Sequence, residues 1–272
     1  MPPVFSSTPI PLKRIQIPYR ISALLLVFVT CCNGLVFAQE YEKKLFQGTN
    51  KTLPYRLLLP ENYDSSKKYP LILFLHGIGE RGSDNELQLT HGSTFFLKDD
   101  VRKNFPALVI FPQCSMDSHW TKVKSRKPYA FFKRKRKNKQ LDLVEEFVSY
   151  VENTYPIKSD QIYLGGLSMG GMGTLELLYR NPKKFAAAFA ICGGAHTRWI
   201  RKLQHTPLWL FHGQKDQVVS HRFSKQLYDG LLEIGAPVKF TSYPNHNHSV
   251  WNTALQEEGF LDWVFSHSLK HP

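Results

Sequence analysis

The sequence predicts an α/β protein, a mostly parallel central sheet with helices on both faces, folded as a single domain. Three observations predict it. Short apolar runs of strand character alternate along the chain with segments whose apolar residues recur every three to four positions. Four of the short runs are apolar at nearly every position, which suits strands covered on both faces. Strands and helices also alternate rather than segregate, and that order wraps a parallel sheet in helices, with the loops at the carboxyl ends of the strands forming a site. At 272 residues, 42% of them hydrophobic, the chain is long enough to bury a large core.

Taken in order, residues 1–38 stand apart from the fold. Lys13, Arg14 and Arg20 precede the apolar run "ISALLLVFV", and "LVFAQE" puts Val36 and Ala38 at the small-residue positions of a cleavage site. These residues read as a signal peptide of an exported protein, periplasmic or extracellular. The alternative is an uncleaved membrane anchor through residues 21–38. Lipid attachment at Cys31 fits less well, because Thr30 precedes it where a smaller residue is usual. The folded domain is then residues 39–272.

Strands are expected at residues 53–60, 69–77, 105–112, 161–166, 185–194, 207–213 and 238–244, each a run such as "YPLILFLHG" or "PLWLFHG". Helices are expected at residues 141–155, where Leu143, Val144, Phe147, Val148 and Val151 share a face, and at 220–235, where Phe223, Leu227, Leu231 and Ile234 do. A last helix is expected over residues 253–269. Two cysteines fall in the leader. The other two, Cys114 and Cys192, follow non-adjacent strands and would stand about 14 Å apart, too far for a bridge.

The net charge of +13 is concentrated rather than spread. Three of the 35 basic residues belong to the leader, and ten, from Lys122 to Lys139, lie in a run without a single acid. What remains is balanced, 22 basic against 22 acidic residues. This basic insertion, residues 122–139, is too charged to enter a core and is expected as an exposed loop. It offers a contact for a polyanion or an anionic membrane surface, whereas nucleic acid is not an expected partner of an exported protein.

Chemistry enters at "QIYLGGLSMGGMGTLELLYR", residues 161–180, a strand, a sharp turn and a helix with Gly166-Leu167-Ser168-Met169-Gly170 at the turn. Gly-x-Ser-x-Gly alone is a common accident, but in this context it reads as a nucleophile elbow. Gly166 and Gly170 let the helix pass the strand without a Cβ clash. Upstream, "HGIGERGSDNELQL" follows a strand, and Gly77 and Gly79 allow a backbone amide to turn inward. The Ile78 and Met169 N–H groups are therefore the expected donors to a developing oxyanion. Downstream, Asp216 follows the strand in "PLWLFHGQKDQVVS" and is the expected acid. A histidine must follow in turn. His221 lies on the helix launched from the acid loop, and His267 and His271 sit at the chain end, so "YPNHNHSVW" supplies it through His246 or His248. The pair lacks a third ligand at metal-binding spacing, and no metal or cofactor is expected.

Together, "LHGIGERGSDNELQL", "FPALVIFPQC", "QIYLGGLSMGGMGT", "AICGG", "FHGQKDQVVS" and "YPNHNHSVW" resemble the secreted bacterial esterases of the α/β-hydrolase superfamily. The likeness is to the phospholipase/carboxylesterase type, related to dienelactone hydrolases, polyhydroxybutyrate depolymerases and feruloyl esterases, and runs from Tyr55 to Trp263. It implies the α/β-hydrolase fold, a carboxylic ester as substrate, small or polymer-linked, and a triad of Ser168, Asp216 and His248. His246 falls where the family has an uncharged residue. Trp120 and Trp251 are candidate lining residues of the substrate pocket. Some relatives carry an Ig-like module in front, for which the residues after Gln39 leave no room, and the basic insertion departs from the usual pattern. Two other readings share the elements: a serine peptidase resembling the prolyl-oligopeptidase catalytic domain, and a non-catalytic binding module on the same fold.

Overall fold

The computed structural model describes residues 40–124, 130–132 and 137–270, and the segment read as a leader or anchor lies outside them. The strands are β1 (Glu42–Gln47), β2 (Thr52–Leu58), β3 (Tyr69–Leu75), β4 (Leu108–Pro112), β5 (Val123–Lys124), β6 (Ala130–Phe131), β7 (Ile157–Leu167), β8 (Ala187–Ile191), β9 (Leu208–Gly213) and β10 (Val238–Tyr243). The helices are α1 (Ser93–Phe96), α2 (Asp99–Asn104), α3 (Lys139–Thr154), α4 (Met169–Arg180), α5 (Ile200–Leu203), α6 (Arg222–Glu233), α7 (Trp251–Leu255) and α8 (Phe260–Phe265). Eight strands form one sheet in the order β1-β2-β4-β3-β7-β8-β9-β10. β2 runs antiparallel to both of its neighbours, and every other pair is parallel. This is the α/β-hydrolase fold expected from the sequence.

The alternation of side chains along a strand builds two cores. Leu71, Leu73 and Leu75 of β3 join Leu164 and Leu210 on one face, under Leu143, Phe147 and Val151 of α3, Leu175 and Leu178 of α4, and Leu227 and Leu231 of α6. Ile72 and Phe74 point the other way, with Tyr163, Phe189 and Phe211, and meet Phe96, Val101, Leu255, Phe260 and Val264. Cutting one such leucine to alanine costs about 2–5 kcal/mol. α3 starts where Asn138 accepts hydrogen bonds from the Gln140 and Leu141 amides, and it buries the face its periodicity predicts.

Besides the short helices α1, α2 and α5, which the sequence reading does not include, three elements differ from it. β1 has no counterpart among the expected strands: "EKKLFQ" is charged and mostly exposed, with Leu45 65% accessible, as befits a strand that ends a sheet. The basic insertion is not wholly an exposed loop. β5 and β6 pair antiparallel, Phe131 is buried with Met172 and Val219, and Asn138 is buried at the start of α3. Residues 125–129 and 133–136 lie outside the described residues. The last helix is two short ones, α7 and α8, because Gly259 takes a left-handed conformation between them (φ 68°).

Candidate active site

β7 ends at Leu167 and α4 begins at Met169, leaving Ser168 alone on the turn with φ 53° and ψ −117°. A non-glycine residue pays about 1–3 kcal/mol for such a backbone, so the surroundings must hold it. The Ser168 amide donates to the Ile191 carbonyl at 2.8 Å, and its own carbonyl accepts from the Met172 amide at 3.0 Å. A Cβ on Gly170 would stand 1.9 Å from the Leu75 carbonyl oxygen, and one on Gly166 would stand 2.6 Å from the Gly170 backbone. The elbow therefore closes only with glycine at both places.

β9 ends at Gly213, and a Cβ there would come within 2.2 Å of the Asn247 carbonyl oxygen. That close approach, with Lys215 N–H donating to the His246 carbonyl at 2.9 Å, fixes the histidine loop against the acid loop. His248 lands between them. Its Nε2 is 2.9 Å from Ser168 Oγ and its Nδ1 is 2.7 Å from Asp216 Oδ2. His246 instead faces outward, with Nε2 3.4 Å from Thr253 Oγ1. The turn at residues 244–245 and the bend at His248 thus separate two side chains that an extended chain would point the same way.

Asp216 is 8% exposed and saturated with donors. The Val218 and Val219 amides reach Oδ1 at 2.8 and 2.9 Å, while His248 and a second imidazole, His212 at 3.0 Å, share Oδ2. Burial by itself would raise the carboxyl, but the hydrogen bonds from His212, His248 and the backbone outweigh it and hold Asp216 well below the usual carboxylate range. The acid is ionised at any ordinary pH.

Ile78 opens the 3-10 turn Ile78–Glu80 and Met169 opens α4, so both amides occupy helix positions that lack an intrahelical acceptor. Gly77 and Gly79 are not needed for φ, since neither is left-handed. A Cβ added to Gly79 would meet nothing within 4 Å, whereas Gly77 gives room to Leu167 and the Glu80 carboxyl. Trp251 is partly exposed, its ring 6.0 Å from that of His248 and 4.7 Å from that of His91. Trp120 is a correction: it is completely buried, donates Nε1–H to the His76 carbonyl at 3.0 Å and offers no surface to a substrate.

Sequence reasoning misses two histidines. His76 Nε2 accepts from the Cys114 amide at 2.9 Å and Nδ1 donates to the Gly77 carbonyl at 2.6 Å, tying the loop after β3 to the end of β4. Burial pushes His76 down to about 4, so it is neutral. His212 braces Asp216 as described. The signal for both is present: "FLHG" and "LFHG" each end an apolar strand in His-Gly, and a histidine flanked by buried residues must find polar partners. Cys192, His212 and Asp216 also bring one ligand atom each within 4.8 Å of one another. That donor set is spent: His212 and Asp216 bond each other, and burial lifts the Cys192 thiol to about 12 while it donates to the His248 carbonyl.

Comparison with known proteins agrees with the fold. The phospholipase/carboxylesterase family model matches residues 62–261. Lysophospholipase-like protein 1 of Mus musculus is 24% identical over 212 residues, 72% of this chain and 85% of that one. Dipeptidyl-peptidase 5 of Aspergillus fumigatus is 26% identical over 82% of this chain, which spans only 35% of the peptidase. A solved thermostable esterase superposes with a TM-score of 0.76 at 31% identity, over 85% of this chain and 64% of the esterase.

Proposed function

The chain belongs to the phospholipase/carboxylesterase family and is a carboxylic ester hydrolase, and on that premise we propose that hydrolysis runs through Ser168, His248 and Asp216 by way of an acyl-enzyme. Ser168 Oγ attacks the ester carbonyl as His248 Nε2 takes its proton, and Asp216 holds the imidazole in the tautomer that presents Nε2 to the serine. The carbonyl oxygen, now anionic, is received by the Ile78 and Met169 amides, with the N-terminus of α4 adding its positive end. His248 returns the proton to the leaving alkoxide. Water then repeats the sequence and releases the acid.

The observation that carries this reading is the unbroken line Ser168 Oγ, His248, Asp216 at 2.9 and 2.7 Å. A fluorophosphonate probe tests it. Labelling of the wild-type protein that disappears in Ser168→Ala, together with turnover of p-nitrophenyl esters, supports the proposal; labelling that survives the substitution overturns it. Peptide amides in the same panel address the second reading, a peptidase, favoured by the likeness to dipeptidyl-peptidase 5 over 82% of this chain.

Export and the role of the basic run belong to the same proposal. A chain secreted from its own leader should begin at Gln39, which mass spectrometry reads directly. The ten basic residues are proposed to hold the enzyme on a polyanion, and removing residues 125–129 and 133–136, which carry six of the ten, should then sharply weaken retention on heparin at low salt without changing turnover of a small neutral ester.

A further inference from the structure

His212 is fully buried at the end of β9. Its Nε2 faces two acceptors, Asp216 Oδ2 at 3.0 Å and the Val219 carbonyl at 2.9 Å, so this nitrogen carries a proton. Its Nδ1 lies 2.7 Å from Ser224 Oγ, which in turn lies 3.1 Å from the Gly193 carbonyl. The ring is thus pinned at both nitrogens, and one carboxylate oxygen receives two imidazole N–H groups.

We propose that His212 is a positioning residue for ester hydrolysis, which fixes the Asp216 carboxylate at the oxygen it shares with His248 and limits how strongly Oδ2 draws on the His248 proton. The proposal rests on the triad reading above. Two backbone amides hold Oδ1 but leave the plane of the carboxylate to be set at its other oxygen. His212 sets it, and because it shares that oxygen with His248, each bond weakens the other. A carboxylate with its charge already partly satisfied stabilises the neighbouring imidazolium less. What His212 takes from Oδ2 is not available to hold a proton on His248, so the pH dependence of turnover is the readout. The other titratable groups around this pair are displaced toward their neutral forms or paired elsewhere. The Cys192 thiol at the end of β8 is pushed up by burial, and so is the Tyr243 hydroxyl on β10. His221, its ring 5.6 Å from His212, is pushed down by burial, and Lys225 on α6 is paired with Asp229.

The test is the pH profile of kcat/KM for a p-nitrophenyl ester in His212→Phe, His212→Asn and His212→Gln. Phe donates nothing and Asn reaches Ser224 but not Asp216. Both should lower kcat about tenfold to a hundredfold with KM unchanged, and move the acid limb up by about one pH unit. Gln carries an amide nitrogen to the position of Nε2 and should return the limb to within a few tenths of a unit. Should the Phe variant not fold, the Asn and Gln variants, both polar, decide the matter. An acid limb at the wild-type position in Asn or Phe overturns the proposal whatever happens to kcat, because a merely structural histidine would lower activity without moving it. Failure of the triad itself reads differently: Ser168→Ala would then retain turnover.

Discussion

Two arms of the site, both ending at Ser168, are built on opposite plans. On the β9 side, Asp216 accepts from two backbone amides and two imidazoles, and His212 and His248 each use both ring nitrogens. On the β3 side, His76 is equally well tied, but Ile78 is 51% exposed and the buried Glu80 Oε2 has no hydrogen-bond partner among the described residues. Burial raises that carboxyl above its ordinary range, outweighing His91 and the Gly77 and Glu80 amides, which pull it down. In the proposed mechanism the first arm keeps a permanent negative charge and the second receives a passing one. A permanent charge has to be saturated in advance, whereas a passing charge needs donors that nothing else has taken.

The largest consequence falls on the saturated arm. On the proposed mechanism His248→Ala should lower kcat by about 10³–10⁴-fold, because it removes both the proposed base and the partner of Asp216. His246→Ala, two residues away on the outward face, should cost less than about tenfold. Steady-state rates on one ester compare them, and the reverse order would move the base to His246.

Glycines on the two arms should answer differently as well. Gly213→Ala forces the histidine loop away from a Cβ that would stand 2.2 Å from Asn247. A shift of that kind at the base is worth about a hundredfold in kcat. Gly79→Ala meets nothing within 4 Å and should leave kcat within about threefold. Equal losses would mean that the loop after β3 needs glycine freedom that its backbone angles do not display.

The β3 arm should show itself in stability rather than rate. His76 has a value of about 4 when folded against 6.5 as a free side chain. The unfolded chain therefore binds the proton first, so stability is complete above pH 6.5 and declines as pH falls toward 4. The loss is about 3 kcal/mol. Denaturant midpoints between pH 7 and 4 measure it, and His76→Gln should flatten the slope. The smallest effect belongs to Glu80. Its folded value is raised, so its burial costs stability once pH exceeds that of the free carboxyl, and Glu80→Gln should raise Tm by about 2 °C at pH 8 and by less at pH 4.

Much of this molecule is legible in its sequence because its strands are buried on both faces. β3, β4, β8 and β9 are buried throughout and, but for His212 and Gly213 at the end of β9, nearly uniformly apolar, as covered strands are. The elbow is legible because its glycines are demanded by distances under 3 Å. β1 is not, since a terminal strand is selected for charge rather than apolar alternation. Trp120 and His212 mark a different limit. Both sit in stretches that suggest chemistry or packing equally well, and only the position of His76 for one and of Asp216 for the other decides which.

Cys114 and Cys192 are both free, and each is 0% exposed. Cys114 hangs from His76 on the β3 arm, and Cys192 donates to the His248 carbonyl on the other. Burial lifts both thiols to about 12. A thiolate is the reactive species, so neither is available to a labelling reagent while its arm is closed. In a protein of residues 39–272 these are the sole sulfhydryls, which makes the fold its own pair of opening gauges. Mass-resolved alkylation over a denaturant series would time the two arms separately, with no probe added. The saturated arm, held by more polar bonds, should surrender Cys192 later than the β3 arm surrenders Cys114.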